Sequence, residues 1–452
     1  MATGEGDRLG DLPDSVLTHI LSLLGNGKEV VRTCVLSKRW RFLWMSVPVS
    51  LDFNFPVSQT REATLDYLAF IHREIYYWRF CQKIREFCVW QLRYEEEYAR
   101  DVDLWVHFAL KLANVESFTL EFYVYYQVYD LPQFAFKNSF LRKLDLWFCQ
   151  LNPSGSISWN SLVSLTFGYM DFKDGVMEKV LSGCPNLERL SLYSVSGIHP
   201  LEISSVKLTE LAIDNYYDHN NDLWLEISAP YIQNLRLSGL CREIRIGQGN
   251  LASLVTATLT LVYHFEDEQT NMVKETSCLK ELLHSVAHVE NLKLGHWCIQ
   301  CLSIFEMRGW QFPPSSRKFL ELSVGFEQLD FLGICSFLQS SLDLETLVIK
   351  WYGNRSSDWL SRYTSEHEQA RRFETHNFNC SFPYLKTIKI LNFYGSMLPL
   401  VKYLLKHATV LEKFVIDAAL GDSDVSPEYI KIALELLSFP RSSPNASVIF
   451  SF

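Results

Sequence analysis

The sequence lacks several features that would place it in well-defined classes of protein. It has no run of about 18 consecutive apolar residues, so no segment is predicted to span a membrane. Residues 1–8 are small and polar and lack the apolar core of a signal peptide. The 11 cysteines are odd in number and follow no regular spacing, which argues against a disulfide framework. We therefore expect a reducing compartment, cytoplasmic and/or nuclear.

Basic charge is also scarce. The chain has 42 Lys and Arg against 52 Asp and Glu, for a net charge of −10. Non-specific nucleic-acid binding needs a basic surface that displaces counterions, so we predict no nucleic-acid partner. What the chain does have is apolar material: 48% of its 452 residues are hydrophobic, enough for one large core or a few smaller ones.

The single Cys-x-x-Cys segment, Cys298 to Cys301, does not predict a metal site. A zinc site would need a second cysteine pair at suitable spacing, and the nearby His296 does not replace one. The sequence around this segment also lacks the thioredoxin-like pattern of a redox motif. We predict no metal.

A second decoy is Gly247-x-Gly249-x-x-Ala252, which mimics a dinucleotide-binding fingerprint. The fingerprint requires a helix directly after the glycines, but residues 253–262 are β-prone. We therefore predict no cofactor, no catalytic residue, and a non-catalytic protein. An enzyme would be indicated by a pocket with clustered, strongly shifted pKa values.

Residues 11–44 predict a small module of three short helices. Leu12-Pro13-Asp14 favours the start of a helix, because proline suits the first turn and an acid complements the helix dipole. Ser37 can cap the third helix. Apolar residues follow with helical spacing: Val16, Leu17, Ile20, Leu21 and Leu24, then Val30, Val31, Cys34 and Val35, then Trp40, Leu43 and Trp44. Such short helices leave apolar surface for a following domain or a partner.

The pattern is also compatible with the first helices of a larger globular domain, but the residues themselves are more specific. Leu-Pro-Asp-x-Val-Leu-x-x-Ile-Leu-x-x-Leu, followed by Val-x-Thr-x-Val-Leu-Ser-Lys-Arg-Trp-Arg-x-Leu-Trp, resembles the F-box of plant F-box proteins over residues 8–52. The resemblance implies docking on a Skp-type adaptor, which joins a cullin-based ubiquitin ligase. It implies these adaptor-facing residues: Leu12, Pro13, Leu17, Ile20, Leu21, Val30, Val31, Leu36, Ser37 and Trp40.

Beyond about residue 110 the phrase apolar-x-x-apolar-x-apolar recurs, and we predict that residues 111–380 form the leucine-rich-repeat region. Twelve copies run from Val115-x-x-Phe118-x-Leu120 to Leu411-x-x-Phe414-x-Ile416, and the ninth reads Phe319-x-x-Leu322-x-Val324. The first steps of 21 to 26 residues fit the leucine-rich-repeat period of about 20–29. We predict an α/β fold in which the short three-helix F-box precedes a leucine-rich-repeat solenoid, with a parallel β-sheet and the helices outside. Residues 53–110 are predicted to be a helical linker leading into the array.

Two polar insertions interrupt the spacing, near 262–285 and 353–381. Each is compatible with a solvated loop or with a loop on the binding edge. Residues 381–452, with the pattern strand, helix, strand, helix, resemble the FBD region that ends many plant F-box leucine-rich-repeat proteins. The resemblance implies an α/β cap over the last repeat.

The positions between the repeat leucines are predicted to form the concave, target-binding face. Their mixed charge and scattered aromatic rings suit a folded protein or a degron. These positions include Lys143, Asp145, Trp147, Arg189, Ser191, Tyr193, Glu210, Asp214, Asn234 and Arg236.

The function implied is that of a substrate receptor of a Skp–cullin–F-box ubiquitin ligase. Two alternatives stay open. One is a ligand-gated receptor, which would have a buried pocket near Lys143 and Arg189. The other is a scaffold that binds no adaptor.

Overall fold

A computed structural model describes most of the chain in two compact units, residues 1–198 (unit 1) and 199–452 (unit 2). The described residues are 9, 11–24, 27–55, 60–81, 83–123, 127–198, 200–216, 225–239, 244–246, 251–262, 272–325, 330–351, 365–375, 381–393, 397–418 and 427–451.

Unit 1 begins with a helical module. Its helices are α1 (Asp14–Ser22), α2 (Gly27–Arg32) and α3 (Trp40–Leu43), with 3₁₀ turns at Thr33–Val35 and Trp44–Ser46. The module has its own small apolar core, formed by Leu17, Leu21, Val30, Trp40, Leu43 and Val47.

The rest of unit 1 alternates strands with helices and turns. The helices are α4 (Arg61–Trp78), α5 (Ala99–His107) and α6 (Val176–Gly183). The strands are β1 (Val49–Asn54), β2 (Ile84–Arg93), β3 (Ser117–Tyr123), β4 (Tyr129–Asp130), β5 (Lys143–Trp147), β6 (Cys149–Gln150), β7 (Ser164–Gly168) and β8 (Arg189–Tyr193). Strands β1-β2-β3-β5-β7-β8 form a parallel sheet in that order, and β4 pairs with β6.

The parallel sheet begins earlier than the sequence analysis predicted. Strands β1 and β2 precede the predicted first strand, and segment 53–110 contains α4, β2 and α5 where we predicted a helical linker. The signal was present, since Ile84-x-x-Phe87-x-Val89 follows the repeat phrase and all three side chains are buried. The helical module is joined directly to this sheet region, because the Trp44 ring meets the Trp78 ring edge-on at 5.6 Å.

Unit 2 also alternates strands with helices. Against three helices in the sheet region of unit 1, its described residues contain six. These are α7 (Met272–Ser285), α8 (His296–Met307), α9 (Phe331–Gln339), α10 (Glu366–Thr375), α11 (Leu398–His407) and α12 (Pro427–Leu437). The strands are β9 (Leu201–Glu202), β10 (Glu210–Asp214), β11 (Leu225–Ser228), β12 (Asn234–Gly239), β13 (Ile244–Ile246), β14 (Thr256–Leu261), β15 (Asn291–Leu294), β16 (Phe319–Val324), β17 (Thr346–Trp351), β18 (Thr387–Phe393), β19 (Lys413–Ala418) and β20 (Ser447–Ser451).

Strands β10, β12 and β14 to β20 of unit 2 form a parallel sheet in chain order. A second, three-stranded sheet has the order β13-β11-β9. Helix α8 packs against β14 and β16 on the buried face of the main sheet, where the Cys298 thiol donates to the carbonyl of Leu259 at 3.3 Å. The opposite face of each unit's main sheet carries the alternate, mostly polar residues, and we call it the open face.

The predicted strands of the repeat array are confirmed, with one change of register. The middle apolar residue of each of the twelve repeat phrases lies in a strand, and in neighbouring strands these residues pair side by side, as with Leu165 and Leu190. In the ninth copy, however, Leu320 and not Leu322 pairs with Leu292. Arg317 therefore stands where the other copies have their first buried apolar residue.

The two insertions are helical in part. Residues 263–271, 352–364 and 376–380 lie outside the described residues, but α7 and α10 occupy much of what remains. Helix α10 is not a free loop, because its Phe373 ring meets the ring of Phe331 in α9 at 5.8 Å. At the C-terminal end, the predicted strand-helix-strand-helix pattern is followed by one more strand, β20.

Candidate functional site

Four of the ten residues predicted to face an adaptor form the core of the N-terminal module instead. Leu17, Leu21, Val30 and Trp40 are between 0% and 6% exposed and pack on one another. A side chain that is covered by its own chain offers little surface to a partner in this conformation. The assignment of these four residues to the adaptor interface therefore stays a prediction.

The other six residues keep accessible surface. Leu12 and Val31 are half-buried, whereas Pro13, Ile20, Leu36 and Ser37 are exposed. Helix α1 explains the split: Leu17 and Leu21 lie one turn apart on its inner face, so Ile20 is turned outward.

The structure adds four exposed apolar residues that the sequence analysis did not assign to this surface: Val16, Leu23, Leu24 and Val35. Together with the predicted Ile20, the first three follow helical spacing along the outer side of α1 and the turn after it, and we call these four the α1 stripe. Val35 and the predicted Leu36, before α3, are 83% and 62% exposed.

An ion pair fixes the start of α1 against the segment before α3. Arg39 donates to Asp14 Oδ1 through Nε at 2.8 Å and through Nη2 at 2.5 Å, and Nη2 also reaches the carbonyl of Leu12 at 2.5 Å. Both side chains are substantially exposed, so we expect this pair to orient the segments more than to stabilise the module.

On the open face of unit 1, the predicted residues Lys143, Asp145 and Trp147 lie together on β5. Asp145 is only 6% exposed, and its Oδ2 is 2.7 Å from Lys143 Nζ and 3.4 Å from Thr119 Oγ1. Its other oxygen, Oδ1, is buried without a hydrogen-bond partner. This strand therefore carries a carboxylate whose acceptor capacity is only partly used.

The aromatic residues beside it form a cluster that we call the aromatic platform: Trp147, Phe148, Tyr169 and Tyr193. The rings of Trp147 and Tyr193 stack with centroids 5.2 Å apart. Gly168 lies between their strands, and a Cβ there would come within 1.9 Å of the indole Cε3. Trp147 can lean across β7 only because residue 168 has no side chain.

The outer part of the platform is held by an unusual backbone. Phe148 and Tyr169 follow β5 and β7 with φ of 57° and 51°, the left-handed region that bulky residues rarely adopt. Their amides donate to the carbonyls of Gly168 and Tyr193 at 2.8 and 2.7 Å. The two rings lie parallel, 4.4 Å apart, and this stacking favours the same conformation.

The other predicted open-face residue of unit 1, Arg189, is exposed and lies 3.7 Å from Glu188. Ser191 is half-buried in the same strand, β8. In unit 2, Glu210 and Asn234 are exposed and stand side by side on β10 and β12. The partly buried Asp214 accepts a hydrogen bond from Ser238 at 2.5 Å.

The open face of unit 2 is basic further along. Arg236 and Lys389 are exposed, and no ion pair is recorded for either within the described part of the chain. Glu321 is 14% exposed and lies between Lys350 Nζ at 2.6 Å and Lys293 Nζ at 3.2 Å. Burial would raise the pKa of Glu321, but the hydrogen bonds from Lys350 and Lys293 outweigh it and hold that pKa below its ordinary value. The sequence analysis named neither this cluster nor Glu121 of unit 1.

A cavity of about 370 Å³ lies among the helices of unit 2, not beside Lys143 and Arg189 of unit 1. Its lining combines apolar side chains with Lys402 and two glutamates. It is lined by Phe331, Phe373, Glu374, Leu398, Pro399, Lys402, Glu435 and Phe439.

The structure also describes part of the two motifs that the sequence analysis rejected, the Cys-x-x-Cys segment and the glycine-rich segment after Ile246. Cys298 and Cys301 are fully buried in α8, and burial raises the pKa of the Cys298 thiol to about 12, which suits packing rather than redox chemistry. Gly247 and Gly249 lie outside the described residues, while residues 256–261 form β14. Within the described ranges, no cluster of three metal-ligating side chains occurs and no helix has the length and apolarity needed to cross a membrane.

Comparison with known proteins assigns both parts of this arrangement. Residues 9–51 match the F-box domain, and residues 83–436 match the family described as At1g61320/AtMIF1, LRR domain. The chain belongs to the F-box/leucine-rich-repeat family. F-box domains generally bind Skp1-type adaptors, and F-box/LRR proteins are generally non-catalytic.

Relatives of this F-box/LRR chain occur in Arabidopsis thaliana. F-box/LRR-repeat protein At3g03360 is 31% identical over 361 residues, which cover 78% of this chain and 72% of the relative. Putative F-box protein At1g49610 is 30% identical, over 76% of this chain and 84% of the relative. The LRR match extends to residue 436 and so includes most of the segment for which we predicted an FBD-like cap. The FBD resemblance itself stays a prediction.

Proposed function

We propose that this protein is the substrate-recognition subunit of a Skp–cullin–F-box ubiquitin ligase. In this proposal the F-box holds the adaptor and the open faces of the repeat region hold the target. The supporting observation is the exposed apolar surface of the F-box, which remains after the module has formed its own core. Exposed apolar side chains on a helix are the usual means by which a helix docks into a partner's groove.

The mechanism is positional. A receptor that binds the adaptor with one region and a target with another holds the target lysines near the ubiquitin-charged enzyme carried elsewhere in the complex. The gain is an increased effective concentration and needs no catalytic group on this chain.

The test is capture of a Skp-type adaptor by the full chain. Ile20→Asp and Leu36→Asp each place a charge on the exposed apolar surface, and we expect adaptor affinity to fall by about tenfold or more for each. Leu104→Asp is the matched control, because Leu104 is an exposed leucine on α5, outside the F-box. Its adaptor affinity should match the wild type.

Circular dichroism should show that all three variants keep their helices. Leu17→Asp is unsuitable as a surface test, because the fully buried Leu17 belongs to the F-box core and its loss would unfold the module. The proposal fails if the wild-type chain captures no adaptor, which would favour the scaffold alternative. It fails equally if Ile20→Asp and Leu36→Asp capture the adaptor as well as Leu104→Asp does.

A further inference from the structure

The open face of unit 2 carries a row of residues in which three of the six positions are basic. The strand registers place these residues side by side across β12 and β14 to β18, and we call them the basic row. In order across the sheet they are Arg236, Thr258, Lys293, Glu321, Val348 and Lys389. Because neighbouring strands lie about 4.8 Å apart, the basic row is about 24 Å long.

The one acid in the basic row, Glu321, already has a cation that offsets its charge. Lys350 of β17 lies 2.6 Å from the Glu321 carboxylate and supplies one positive charge for one negative charge. Lys293 contacts the same carboxylate at 3.2 Å, and its side chain keeps 41% of its surface exposed. Two lysines share one acid, so the group as a whole has one positive charge in excess.

The two ends of the basic row are exposed cations. Arg236 and Lys389 make no ion pair and no side-chain hydrogen bond within the described residues. Each can therefore pair with a carboxylate of a partner without breaking a contact of the free protein. The Arg236 guanidinium can do so through two parallel hydrogen bonds.

The other charges on this open face lie on the strands to either side of the basic row. Glu210 and Asp214 stand on β10, where Asp214 already accepts a hydrogen bond from Ser238. Lys413 and Asp417 stand on β19 and have opposite signs. From β12 to β18, the described open-face charges are therefore four cations against the single acid Glu321. The cations are Arg236, Lys293, Lys350 and Lys389.

A second line of charges lies before β15 to β19, three residues from the basic row along the strands where the two overlap. Its members are joined by backbone hydrogen bonds and alternate in sign: Glu290, Lys318, Glu345, Lys386 and Glu412. Neighbouring charges of opposite sign largely cancel at a distance, so this line does not neutralise the basic row.

We infer that the basic row binds an extended acidic segment of the target protein, whose carboxylates pair with Arg236, Lys293 and Lys389. This inference rests on the proposed function, since it names the chemistry of the target. An extended chain rises about 3.3 Å per residue, so about seven residues match the length of the row. Ion pairs on an exposed face favour the orientation and the association rate of the partner more than its affinity.

The test uses the full chain and a fluorescein-labelled peptide of alternating acid and spacer, Asp-Gly-Asp-Gly-Asp-Gly-Asp. Fluorescence anisotropy at low ionic strength measures binding, which we expect to saturate and to weaken as salt is added. The same peptide with asparagine in place of aspartate should bind about tenfold more weakly or worse, because it loses several ion pairs at once.

Charge variants locate the peptide on the basic row. Arg236→Gln and Lys389→Gln should each weaken binding by about threefold. Lys431→Gln is the matched control, because it removes an exposed lysine of helix α12, outside the sheet, and it should bind like the wild type.

Glu321→Gln gives the sharpest outcome, since it should strengthen binding by about threefold. The substitution removes the one acid of the basic row and leaves Lys293 and Lys350 for the peptide. A variant that merely folds less well would bind more weakly, so the opposite direction of this change separates charge from folding.

The inference is overturned by equal binding of the asparagine peptide, or if Arg236→Gln and Lys389→Gln bind like Lys431→Gln. Weaker binding by Glu321→Gln also contradicts it. A single-stranded oligonucleotide of the same charge should bind no more tightly than the peptide, and tighter binding would assign the row to a nucleic acid instead.

Adaptor capture is measured on the same preparations. A chain that captures the adaptor but does not bind the acidic peptide contradicts this inference alone. A chain that binds the peptide but captures no adaptor contradicts the proposed ligase function instead.

Discussion

The two units carry the same kind of parallel sheet, but a partly buried glutamate on the open face is paired with lysines in unit 2 and unpaired in unit 1. Glu321 of unit 2 is held between Lys293 and Lys350, and these hydrogen bonds keep its pKa low despite burial. Glu121 of unit 1 has no such partner, and burial raises its pKa. A glutamate paired with two lysines stabilises the folded structure, whereas a half-buried one without a partner carries the cost of burial uncompensated.

On the buried sides of the two sheets, it is unit 2 and not unit 1 that holds an unpaired charge. In unit 1 the first position of each repeat phrase is apolar and buried, as at Leu141, Leu162 and Leu187. In unit 2 that position is once Arg317, which is 1% exposed and has Nε and Nη1 without hydrogen-bond partners. Its guanidinium lies over the Phe337 ring at 4.4 Å, and burial lowers its pKa to about 10. Unit 2 therefore contains an uncompensated charge in its core.

Replacing that charge should produce the largest effect. Arg317→Leu restores the repeat phrase, and we expect unit 2 to gain about 1–4 kcal/mol in its free energy of unfolding. The reason is that burying an unpaired cation costs several kcal/mol, of which a desolvated cation–π contact returns only a part, about 2 kcal/mol or somewhat more. Native-state hydrogen exchange of β16 and β17 gives the measurement.

The control for this substitution is its neighbour, Lys318. Lys318→Leu removes an exposed lysine that lies 3.8 Å from Glu290, and it should change stability by less than about 0.5 kcal/mol. A loss of stability in Arg317→Leu would show that the guanidinium is satisfied in the folded protein. The contrast between the two cores would then disappear.

The next effect concerns the aromatic platform of unit 1. Gly168→Ala would place a Cβ in the space of the Trp147 indole, so the ring must leave its stack with Tyr193. We expect a cost of about 1–3 kcal/mol, together with a loss of near-ultraviolet circular dichroism. Gly155→Ala is the matched control, because a Cβ there has no atom within 4 Å. An unchanged near-ultraviolet spectrum in Gly168→Ala would mean that the platform does not depend on this glycine.

The smallest expected effect is on the free energy of unfolding when each of the two glutamates is replaced by glutamine, and the two changes should have opposite signs. At pH 7, Glu121→Gln should raise the free energy of unfolding and Glu321→Gln should lower it, each by less than about 1 kcal/mol. Because the folded pKa of Glu121 is raised, its penalty appears as pH rises from the ordinary value of 4.5 through the folded pKa. Because the folded pKa of Glu321 is lowered, its contribution is present above 4.5 and is lost as pH falls through the folded pKa.

Denaturant unfolding at pH 7 and at about pH 4 measures both variants. The difference between Glu121→Gln and wild type should shrink at the lower pH. If both variants change stability in the same direction at pH 7, the difference in pairing between Glu321 and Glu121 does not determine how each side chain contributes to stability.

Much of the architecture could be predicted because repeat phrases are local and redundant. Leu144, Leu165 and Leu190 each sit in a short alternating segment, and many such segments agree with one another. The prediction was wrong in register where one segment fitted the phrase in two ways. The sequence analysis began the ninth phrase at Phe319, but the pairing of Leu292 with Leu320 places its start two residues earlier. The early strand β2 was missed although its sequence follows the phrase.

The adaptor surface was harder to predict because apolar residues on a short helix look alike. Leu17 and Ile20 are both apolar and both fit helical spacing, yet one is buried and the other exposed. Trp40 closes the core from a helix that lies elsewhere in the chain, and that contact decides which side of α1 faces inward.

The sequence by itself determined the kind of protein, its repeat architecture and the strand positions that form the open face, since these depend on spacing along the chain. Only the tertiary structure decided which F-box residues are free for a partner and that Arg317 is a buried, unpaired charge. It also decided that Trp147, Gly168 and Tyr193 combine beside Glu121. These facts depend on neighbours from distant segments, and burial and pairing have no signature in a single stretch of sequence.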